Sequence, residues 1–466
     1  MQFTSYSFLI FMTLFLLAWN RVPRWRITLV NGASLLFYGA WNPYYLLLMI
    51  GSAMIDYYGA LAIARYRQQG GRLLALALTG NLGILIFFKY FYFLNTLWCD
   101  LATLLNAGCQ PITSSFLLPV GISFYTFQSM AYSIDVYRRE MEPSRNIHEY
   151  FCYISFFPQL VAGPIERASH LIPQIQKFAR SEKIPLEWRE SGSLILRGLL
   201  KKVVVADNLA VFSDPVFADM NGYSLTTIMI ATFFFSIQIY CDFSGYTDIA
   251  RGLARMIGVR LMENFNHPYS ATSMRDFWRR WHISLSTWLR DYLYVALGGS
   301  RFGTLRTLSS LMATMLLGGI WHGASYNFLL WGGYHGLLLS FERLGFRLLP
   351  FRWPVTLRWL TTLIYIGFGW FLFRIESIDD LGVLAWKIRT LLWGGGFTLV
   401  PNLLTLFALF FFLSISLWEK KIRHGKRIMP LAEMGRKQQL ALLAGIACIY
   451  YFTAPAMDRM FIYFQF

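Results

Sequence analysis

Long apolar windows, separated by short charged loops, constrain this chain more than any other feature of its sequence. The hydrocarbon core of a bilayer is about 30 Å thick, and an α-helix needs roughly 20 mostly apolar residues to cross it. Ten windows approach that length, at about 5–19, 27–41, 44–64, 73–98, 116–137, 225–249, 307–341, 355–373, 399–418 and 440–454. Two more, 150–163 and 192–212, are shorter or interrupted by charge. The pattern predicts an all-α, polytopic integral membrane protein with about 10–12 transmembrane helices.

Composition excludes most other classes of protein. Hydrophobic residues occupy 56% of the 466 positions and charged residues 14%, which is too apolar for a soluble or disordered chain. Five cysteines are too few for a secreted disulfide framework. The net charge of +17 and the 18% of aromatic residues are typical of basic loops and aromatic belts at a membrane surface. We therefore expect the lipid bilayer, and no nucleic acid, as a partner.

The distribution of basic residues predicts the orientation in the membrane. Arg21, Arg24 and Arg26 follow the first window, whereas the turn 41–43 carries no basic residue. Basic loops are usually cytoplasmic, which places the N-terminus and the loop 99–109 outside. The first window has neither the positive segment nor the cleavage site of a signal peptide, so we interpret it as a retained helix.

The five cysteines suggest two different environments. Cys99 and Cys109 share the external loop, where an oxidising periplasm would permit a disulfide, although the sequence leaves open whether it forms. Cys152, Cys241 and Cys448 stand in apolar surroundings and are expected to be buried.

The whole chain, 1–466, reads as a single integral-membrane domain, because every polar stretch is short enough to be a loop between spans. The segment 164–208 differs from the rest. Pro173 and Pro185 interrupt it, and Arg197, Lys201 and Lys202 punctuate its apolar part. This pattern favours an interfacial or re-entrant segment at the cytoplasmic surface.

A basic and aromatic run, 274–291, is the densest group of ionisable residues. Arg275, Arg279, Arg280, Trp281 and His282 all lie within it. One interpretation is an interfacial amphipathic helix whose arginines extend toward the headgroups. The other is a surface that receives an anionic acyl donor, such as a nucleotide thioester or a phosphopantetheine carrier, beside the imidazole of His282.

His322 stands within an apolar stretch of more than 30 residues, where an ionisable side chain is costly. Such a residue is a functional candidate by default, and the alternative is a neutral histidine that hydrogen-bonds between helices. Gly318, Gly319 and Gly323 would allow backbone, donor or substrate to approach the ring closely. Trp321 and Asn327, in the same stretch, are candidates for binding donor or substrate.

Asp242, Ser244 and Asp248 form a third polar group, at the end of an apolar window. They could line a polar cavity or a broken helix that turns at Gly245, or simply cap a helix end. An intramembrane serine protease is disfavoured, because Asp242 occupies a position where the GxSG motif requires glycine. HExxH is absent and no ligand cluster is visible in the sequence, so we expect no metal site.

Several of these segments together resemble the membrane-bound O-acyltransferase (MBOAT) family. They are RDFWRRWHISLSTWLRD (275–291), GGIWHG (318–323), YCDFSGYTD (240–248), NFNHPY (264–269) and FFPQLVAGPIE (156–166). The likeness is greatest to the bacterial branch, which contains the alginate O-acetyltransferase membrane subunit, its cellulose and peptidoglycan counterparts and the teichoic-acid D-alanyl transfer protein. The segments 197–202, 206–208 and 371–374 resemble alginate-type members, whereas the chain length leaves cellulose and peptidoglycan open.

The resemblance implies an MBOAT fold and an active site with two histidines. His322 matches the family histidine deep in the membrane, and His282 matches the second histidine of the bacterial branch. The implied reaction moves an acetyl group from a cytoplasmic thioester, such as acetyl-CoA, across the bacterial inner membrane for O-acetylation of an extracytoplasmic polysaccharide. The donor is a substrate, and no bound cofactor is expected.

The resemblance also implies partners, namely a periplasmic acetyltransferase and the machinery for polysaccharide synthesis and export. Three alternatives remain open at this point. They are D-alanyl-type transfer to another envelope polymer, a transporter or flippase in which His322 relays protons, and a structural assembly subunit without chemistry.

Overall fold

The computed structural model of the protein describes residues 1–112, 118–181, 184, 187–345, 353–390, 398–423 and 461–462. All elements of regular secondary structure within these residues are helices, which confirms the predicted all-α class. The α-helices are α1 (Tyr6–Trp19), α2 (Arg26–Gly39), α3 (Tyr44–Arg65), α4 (Gly70–Leu85), α5 (Phe91–Leu104), α6 (Ile122–Arg138), α7 (Ile147–Ser155), α8 (Ala168–Arg180), α9 (Trp188–Leu199), α10 (Asp207–Ala218), α11 (Leu225–Met256), α12 (Met274–Arg280), α13 (Ile283–Trp288), α14 (Gly303–His322), α15 (Tyr326–Arg343), α16 (Val355–Arg374), α17 (Asp379–Arg389) and α18 (Leu403–Arg423). Three π-helical turns adjoin them, at Ile86–Tyr90, Leu200–Ala206 and Leu289–Tyr294.

Four helical segments of the described chain are long and apolar enough to cross a bilayer. They are Tyr44–Arg65, Arg67–Leu104, Leu225–Met256 and Val355–Arg374. The helices α1 and α2 are long and apolar enough to cross a bilayer only when they are counted as one span. The chain bends by 118° between them. This total of four or five in the described residues is below the predicted 10–12, and some of the other predicted windows fold as helices of fewer than 18 residues, such as α6 with 17. The predicted window 440–454 lies outside the described residues.

Large apolar side chains cover the outside of several helices. The exposed fraction is 74% for Leu47, 71% for Leu76 and 68% for Ile364. A water-soluble protein rarely exposes so much contiguous apolar surface, whereas lipid tails solvate it well. This surface supports the multi-pass membrane class.

The apolar window 307–341 folds as two helices, α14 and α15, instead of one continuous stretch. The break falls where Gly323 and Ser325 adopt extended backbone. The two helices then pack very closely, since a Cβ atom on Gly319 would lie 2.3 Å from the carbonyl oxygen of Phe328. A Cβ atom on Gly332 would lie 2.5 Å from the carbonyl oxygen of Met315. Of the backbone, donor or substrate that the sequence allowed at Gly319, the structure places there the backbone of a neighbouring helix.

The long helix α11 is continuous over 32 residues and packs against α9, α10 and the π turn Leu200–Ala206. Its closest approach to α9 is at Gly245, where a Cβ atom would lie 2.8 Å from the carbonyl oxygen of Gly198. The turn considered for Gly245 is therefore absent, and this glycine serves helix packing.

The segment 164–208 contains α8, α9 and the π turn that follows them. One face of α8 is buried through Leu171, Ile172 and Ile175. Pro173 lies inside α8 and does not end it, while Pro185 falls outside the described residues. The placement of this segment at the cytoplasmic interface stays a prediction, as does the single-domain organisation of the chain.

The predicted external loop contains a covalent link. Cys99, near the end of α5, is joined by a disulfide to Cys109 in the segment that follows. The pairing that the sequence left open is therefore present in the structure. Cys152 and Cys241 are buried, as expected, and Cys448 lies outside the described residues.

Candidate active site

His322 is the last residue of α14 and is almost completely buried. Aromatic rings surround its imidazole, with centroid distances of 5.0 Å to Trp321, 5.1 Å to Trp331 and 5.4 Å to Phe373. These rings come from α14, α15 and α16. Three helices thus hold one histidine in an apolar setting, at the C-terminal end of α14.

His282 occupies the short break between α12 and α13. Its backbone is left-handed, with φ of 43°, which is uncommon for a residue other than glycine and is found often at functional sites. The imidazole is fully buried and lies 4.7 Å from the ring of Phe243 and 6.0 Å from the ring of Trp321. The left-handed residue thus separates α12 from α13 and carries a fully buried imidazole.

Trp321 connects the two histidines, because its indole contacts both imidazole rings. It is itself packed against Phe124 and Phe127 of α6. The two histidines, which are 40 positions apart in the sequence, therefore belong to one buried cluster. This juxtaposition is the one that the resemblance led us to expect.

A large basic cavity of about 1550 Å³ opens beside this cluster. Its wall includes α12, α13 and parts of α14, α15 and α16. The arginines that line it are Arg275, Arg279, Arg290, Arg343 and Arg358. Their charge is offset in part by Glu342, which accepts hydrogen bonds from the backbone N–H groups of Met274 and Arg275. The cavity has the size and charge to hold an anionic ligand of nucleotide dimensions.

The neighbouring residues Arg279 and Arg280 have different surroundings. Arg279 lines the cavity and makes no ion pair with any described residue. Arg280 turns away, donating to the carboxylate of Asp276 at 2.9 Å and to the carbonyl of Asn266 at 3.4 Å. Trp281 is also outside the cavity, packed 4.6 Å from the ring of Trp370. Of the residues predicted to bind the donor in this run, Arg275 and Arg279 are therefore the ones that line the cavity.

Aromatic rings separate the basic cavity from His322. Trp278 lines the cavity, and its ring centroid is 5.7 Å from that of Trp331, which in turn contacts His322. Met315, which also lines the cavity, precedes His322 by seven residues on the same helix, about 10 Å along its axis. Along α14, the lining of the cavity therefore stops about two helical turns before His322.

A second, much smaller cavity lies directly against His322. Its volume is about 30 Å³, enough for about one water molecule. Besides His322 it is lined by Lys89, Ser123, Trp321 and the turn 118–122 that leads into α6. That turn is on the external side in the predicted orientation. His322 thus stands between a basic cavity and a small polar cavity.

The sequence analysis did not single out Lys89, Tyr90 or Ser123 as site residues. The signal for Lys89 was available, since it is a lysine within an apolar window, where charge is costly. No sequence pattern indicated that this lysine reaches the C-terminal end of α14, because the two are 233 residues apart.

Asp242 and Asp248 do not line either cavity. Asp242 accepts from the ammonium of Lys202 at 2.7 Å, and Asp248 pairs with Arg197 at 2.6 Å and with Lys201 at 3.0 Å. These buried ion pairs join α11 to α9 and its π turn. Because α11 is continuous, the broken helix considered for these residues is absent, and both carboxylates neutralise cations inside a helix interface.

Ser244 and Asn327 also lie away from both cavities. Ser244 is buried within α11. The side-chain amide of Asn327 donates to the carbonyl of Ile375 at 2.9 Å and to that of Phe373 at 3.3 Å. It thereby ties the start of α15 to the C-terminal end of α16, and so positions Phe373 against His322.

No group of three or more His, Cys, Asp or Glu side chains in the described part of the chain is arranged to hold a metal ion. The chemistry available at the cluster is that of two imidazoles, which can accept and donate protons.

The chain resembles known proteins over most of its length. It is 40% identical over 395 residues to the probable alginate O-acetylase AlgI of Pseudomonas aeruginosa, a match that covers 83% of this chain and 74% of that protein. It is 36% identical over 384 residues to the peptidoglycan O-acetyltransferase of Helicobacter pylori, covering 75% of this chain and 71% of that protein.

A more distant relative is the teichoic acid D-alanyltransferase of Bacillus subtilis, 27% identical over 274 residues, or 54% of this chain and 68% of that protein. Residues 70–385 match the MBOAT, membrane-bound O-acyltransferase family, and this range includes both histidines and both cavities. The chain therefore belongs to the membrane-bound O-acyltransferase family.

Proposed function

We propose that this protein is an O-acetyltransferase of the bacterial inner membrane, which takes an acetyl group from a cytoplasmic thioester and passes it to an extracytoplasmic polysaccharide. The position of His322, between the basic cavity and the small cavity on the predicted external side, carries the proposal. The O-acetylation named in the two more similar relatives supports the choice of acyl group and of acceptor class.

The basic cavity is the proposed donor site. Acetyl-CoA is a nucleotide thioester with several phosphate charges, and the guanidinium groups of Arg275 and Arg279 present planar donors that suit phosphate oxygens. An extended pantetheine arm could then carry the thioester past Trp278 toward His322. Another acyl thioester with an anionic carrier would satisfy the same chemistry.

The proposed step is direct transfer. The imidazole of His322 takes the proton from an acceptor hydroxyl as its oxygen attacks the thioester carbonyl carbon. The new C–O bond forms, the tetrahedral intermediate collapses and the C–S bond breaks. The departing thiolate takes up the proton from His322, so the histidine returns to its starting state. General base catalysis of this kind typically contributes about 10²–10⁴-fold.

His282 is the proposed second member of the site. It contacts the same indole as His322 and lies beside Ile283, which lines the donor cavity. Its imidazole is placed to hold the donor or to stabilise negative charge on the carbonyl oxygen in the transition state. A transient acyl-histidine would use the same two residues.

The acceptor side involves further proteins. We propose that a periplasmic acetyltransferase completes the transfer and that the chain works with the machinery for polysaccharide synthesis and export. The names of the two O-acetylating relatives support polysaccharide modification as the setting.

The test measures base-labile acetate on surface polysaccharide purified from cells that lack the protein. The strains are complemented with wild type, His322→Ala or His282→Asn at matched membrane levels. Asparagine tolerates the left-handed backbone of His282, so this variant removes the imidazole and keeps the local fold. We expect wild type to restore acetate and both variants to fall by about 10²-fold or more.

The same preparations separate this proposal from its alternatives. Acetate restored by His322→Ala would contradict the catalytic role and favour transport or scaffolding. Base-labile D-alanine that depends on the protein, with unchanged acetate, would favour the reaction of the more distant relative.

A further inference from the structure

The C-terminal turn of α14 leaves four carbonyl groups without partners inside their own helix, as every helix does. In a bilayer such groups are costly unless the protein satisfies them. The carbonyl of Gly319 accepts from the N–H of Gly323 at 3.4 Å. The next three carbonyls, those of Ile320, Trp321 and His322, accept from side chains of another helical segment.

Two consecutive residues supply those donors. The hydroxyl of Tyr90 donates to the carbonyl of Ile320 at 3.0 Å. The ammonium of Lys89 donates to the carbonyls of Trp321 at 2.6 Å and His322 at 3.2 Å, and to the hydroxyl of Ser123 at 3.3 Å. An ammonium has three protons, and these three bonds use all of them. Lys89 is therefore committed to α14 and α6, and has no proton left for a substrate.

The π turn Ile86–Tyr90 explains how neighbouring side chains reach the same helix end. Lys89 and Tyr90 are its last two residues, before α5 begins at Phe91. Consecutive side chains on a regular α-helix diverge by about 100°. A π turn interrupts that regularity, and such turns occur often at functional sites.

The cation also suits its position. The C-terminal end of a helix carries partial negative charge, and a cation there is stabilising. The ammonium of Lys89 lies 5.8 Å from the ring centroid of Trp321, the indole that contacts both histidines. Lys89 thus holds the backbone on which His322 stands and also contacts the ring that connects His322 to His282.

We propose that Lys89 and Tyr90 are positioning residues, which fix the C-terminal turn of α14 and so hold the imidazole of His322 in line for proton transfer. The inference rests on the proposed function of His322. A displacement of about 1 Å at a catalytic group can cost roughly 10²-fold in rate, so a few hydrogen bonds at this turn matter to the reaction. A merely structural clamp would instead affect how much folded protein accumulates.

The experiment uses inside-out membrane vesicles from cells that make the polymer, with radiolabelled acetyl-CoA as the donor probe. Label in the alkali-labile polymer fraction is measured against donor concentration and normalised to the amount of this protein. The variants are Lys89→Met, Lys89→Arg, Tyr90→Phe and His322→Ala. Tyr326→Phe is the matched control, because it removes a hydroxyl bonded to Asp100 at 2.7 Å and leaves the α14 carbonyls untouched.

We expect Lys89→Met to lower the maximal rate per molecule by about 10–100-fold and Tyr90→Phe by about 3–10-fold, with the KM for acetyl-CoA within about twofold of wild type. Lys89→Arg should recover part of the loss, since a guanidinium can donate to the same carbonyls. The solvent deuterium isotope effect should rise in the impaired variants, because proton transfer becomes slower. Tyr326→Phe should match wild type in rate and isotope effect.

Different results would overturn the proposed function and the positioning role of Lys89 and Tyr90. Wild-type vesicles without label would overturn the proposed function, and with it this inference. Full activity of His322→Ala would show that His322 is not the base, and Lys89 and Tyr90 would then have no catalytic group to position. Loss in His322→Ala with wild-type rates per molecule in Lys89→Met and Tyr90→Phe would overturn the positioning role alone. If Lys89→Met does not insert, the single hydroxyl removed in Tyr90→Phe decides the question.

Discussion

At the scale of single residues, Arg279 and Arg280 show how neighbouring side chains of the same type acquire different roles. Arg279 lines the basic cavity, whereas Arg280 is bonded to Asp276 one helical turn earlier and to the backbone at Asn266. The sequence run does not separate them, because both belong to one cluster of arginines. Their partners in the fold separate them.

This difference gives a paired prediction. Arg279→Gln should raise the KM for acetyl-CoA roughly tenfold, because a charge-assisted hydrogen bond to phosphate is worth about 1.5–3 kcal/mol. Arg280→Gln should leave that KM within about twofold and lower thermal stability, since it unpairs Asp276. Both are measured in the vesicle assay and by thermal unfolding of purified protein. Equal effects of the two variants on KM would contradict the assignment of the cavity to the donor.

Sequence could predict those residues of the candidate site that lie within a recognisable motif. It could not predict contacts between segments that are distant in the chain. His322 stands out as an ionisable residue in apolar surroundings, and His282 follows from its motif. Asp242 and Asp248 drew attention as polar residues at the end of an apolar window, and in the fold they pair with Lys202 and Arg197 of another segment. Sequence alone shows that a buried charge needs a partner, and it does not name the partner.

At the scale of helices, the site depends on how closely α14 and α15 pack. Their contact is built on Gly319 and Gly332, because each of these two glycines faces the backbone of the other helix. The sequence of the apolar window 307–341 is long enough to span a bilayer and contains several glycines. It does not show that the chain breaks into two helices that pack against each other. Hydrophobicity alone does not distinguish one long span from two packed helices, since both bury the same residues.

Adjacent glycines on α15 allow a matched test of this packing. A Cβ atom on Gly332 would lie 2.5 Å from the carbonyl oxygen of Met315, whereas one on Gly333 would lie 3.6 Å from the side chain of Leu316. Gly332→Ala should therefore push the helices apart, cost roughly 1–3 kcal/mol of stability and lower transfer. Gly333→Ala should be tolerated. Thermal unfolding and the vesicle assay would show the contrast, and equal stability of both variants would contradict it.

At the scale of the whole molecule, function depends on which cavity faces the cytoplasm. Positive-inside counting predicts the orientation, and by the same rule the arginines that line the basic cavity would lie on the cytoplasmic side. The cavity is lined by arginines near the N-terminal part of α14, and the small cavity adjoins the turn 118–122 that follows the external loop. Residue counting yields a prediction of orientation because lipid headgroups and the translocation machinery respond to charge and not to fold. It could not predict the number of helices that span, since broken and re-entrant helices have the same composition.

The disulfide gives a direct test of orientation. If Cys99 and Cys109 lie outside, an impermeant maleimide should label Cys109 in intact spheroplasts of the Cys99→Ser variant without a reductant. Wild type should be labelled only after treatment with an impermeant phosphine. A cysteine introduced as Glu142→Cys, in the loop after α6 that is predicted to be cytoplasmic, should react only after the membrane is permeabilised.

The reverse pattern, with Glu142→Cys labelled in intact spheroplasts and Cys109 protected, would show that the orientation is opposite to the predicted one. The basic cavity would then face the periplasm, where acetyl-CoA is absent, and a cytoplasmic thioester could not reach His322 through it. The orientation experiment therefore tests the proposed direction of transfer independently of any acetylation assay. It uses only the disulfide, one loop residue and the difference between the two sides of the membrane.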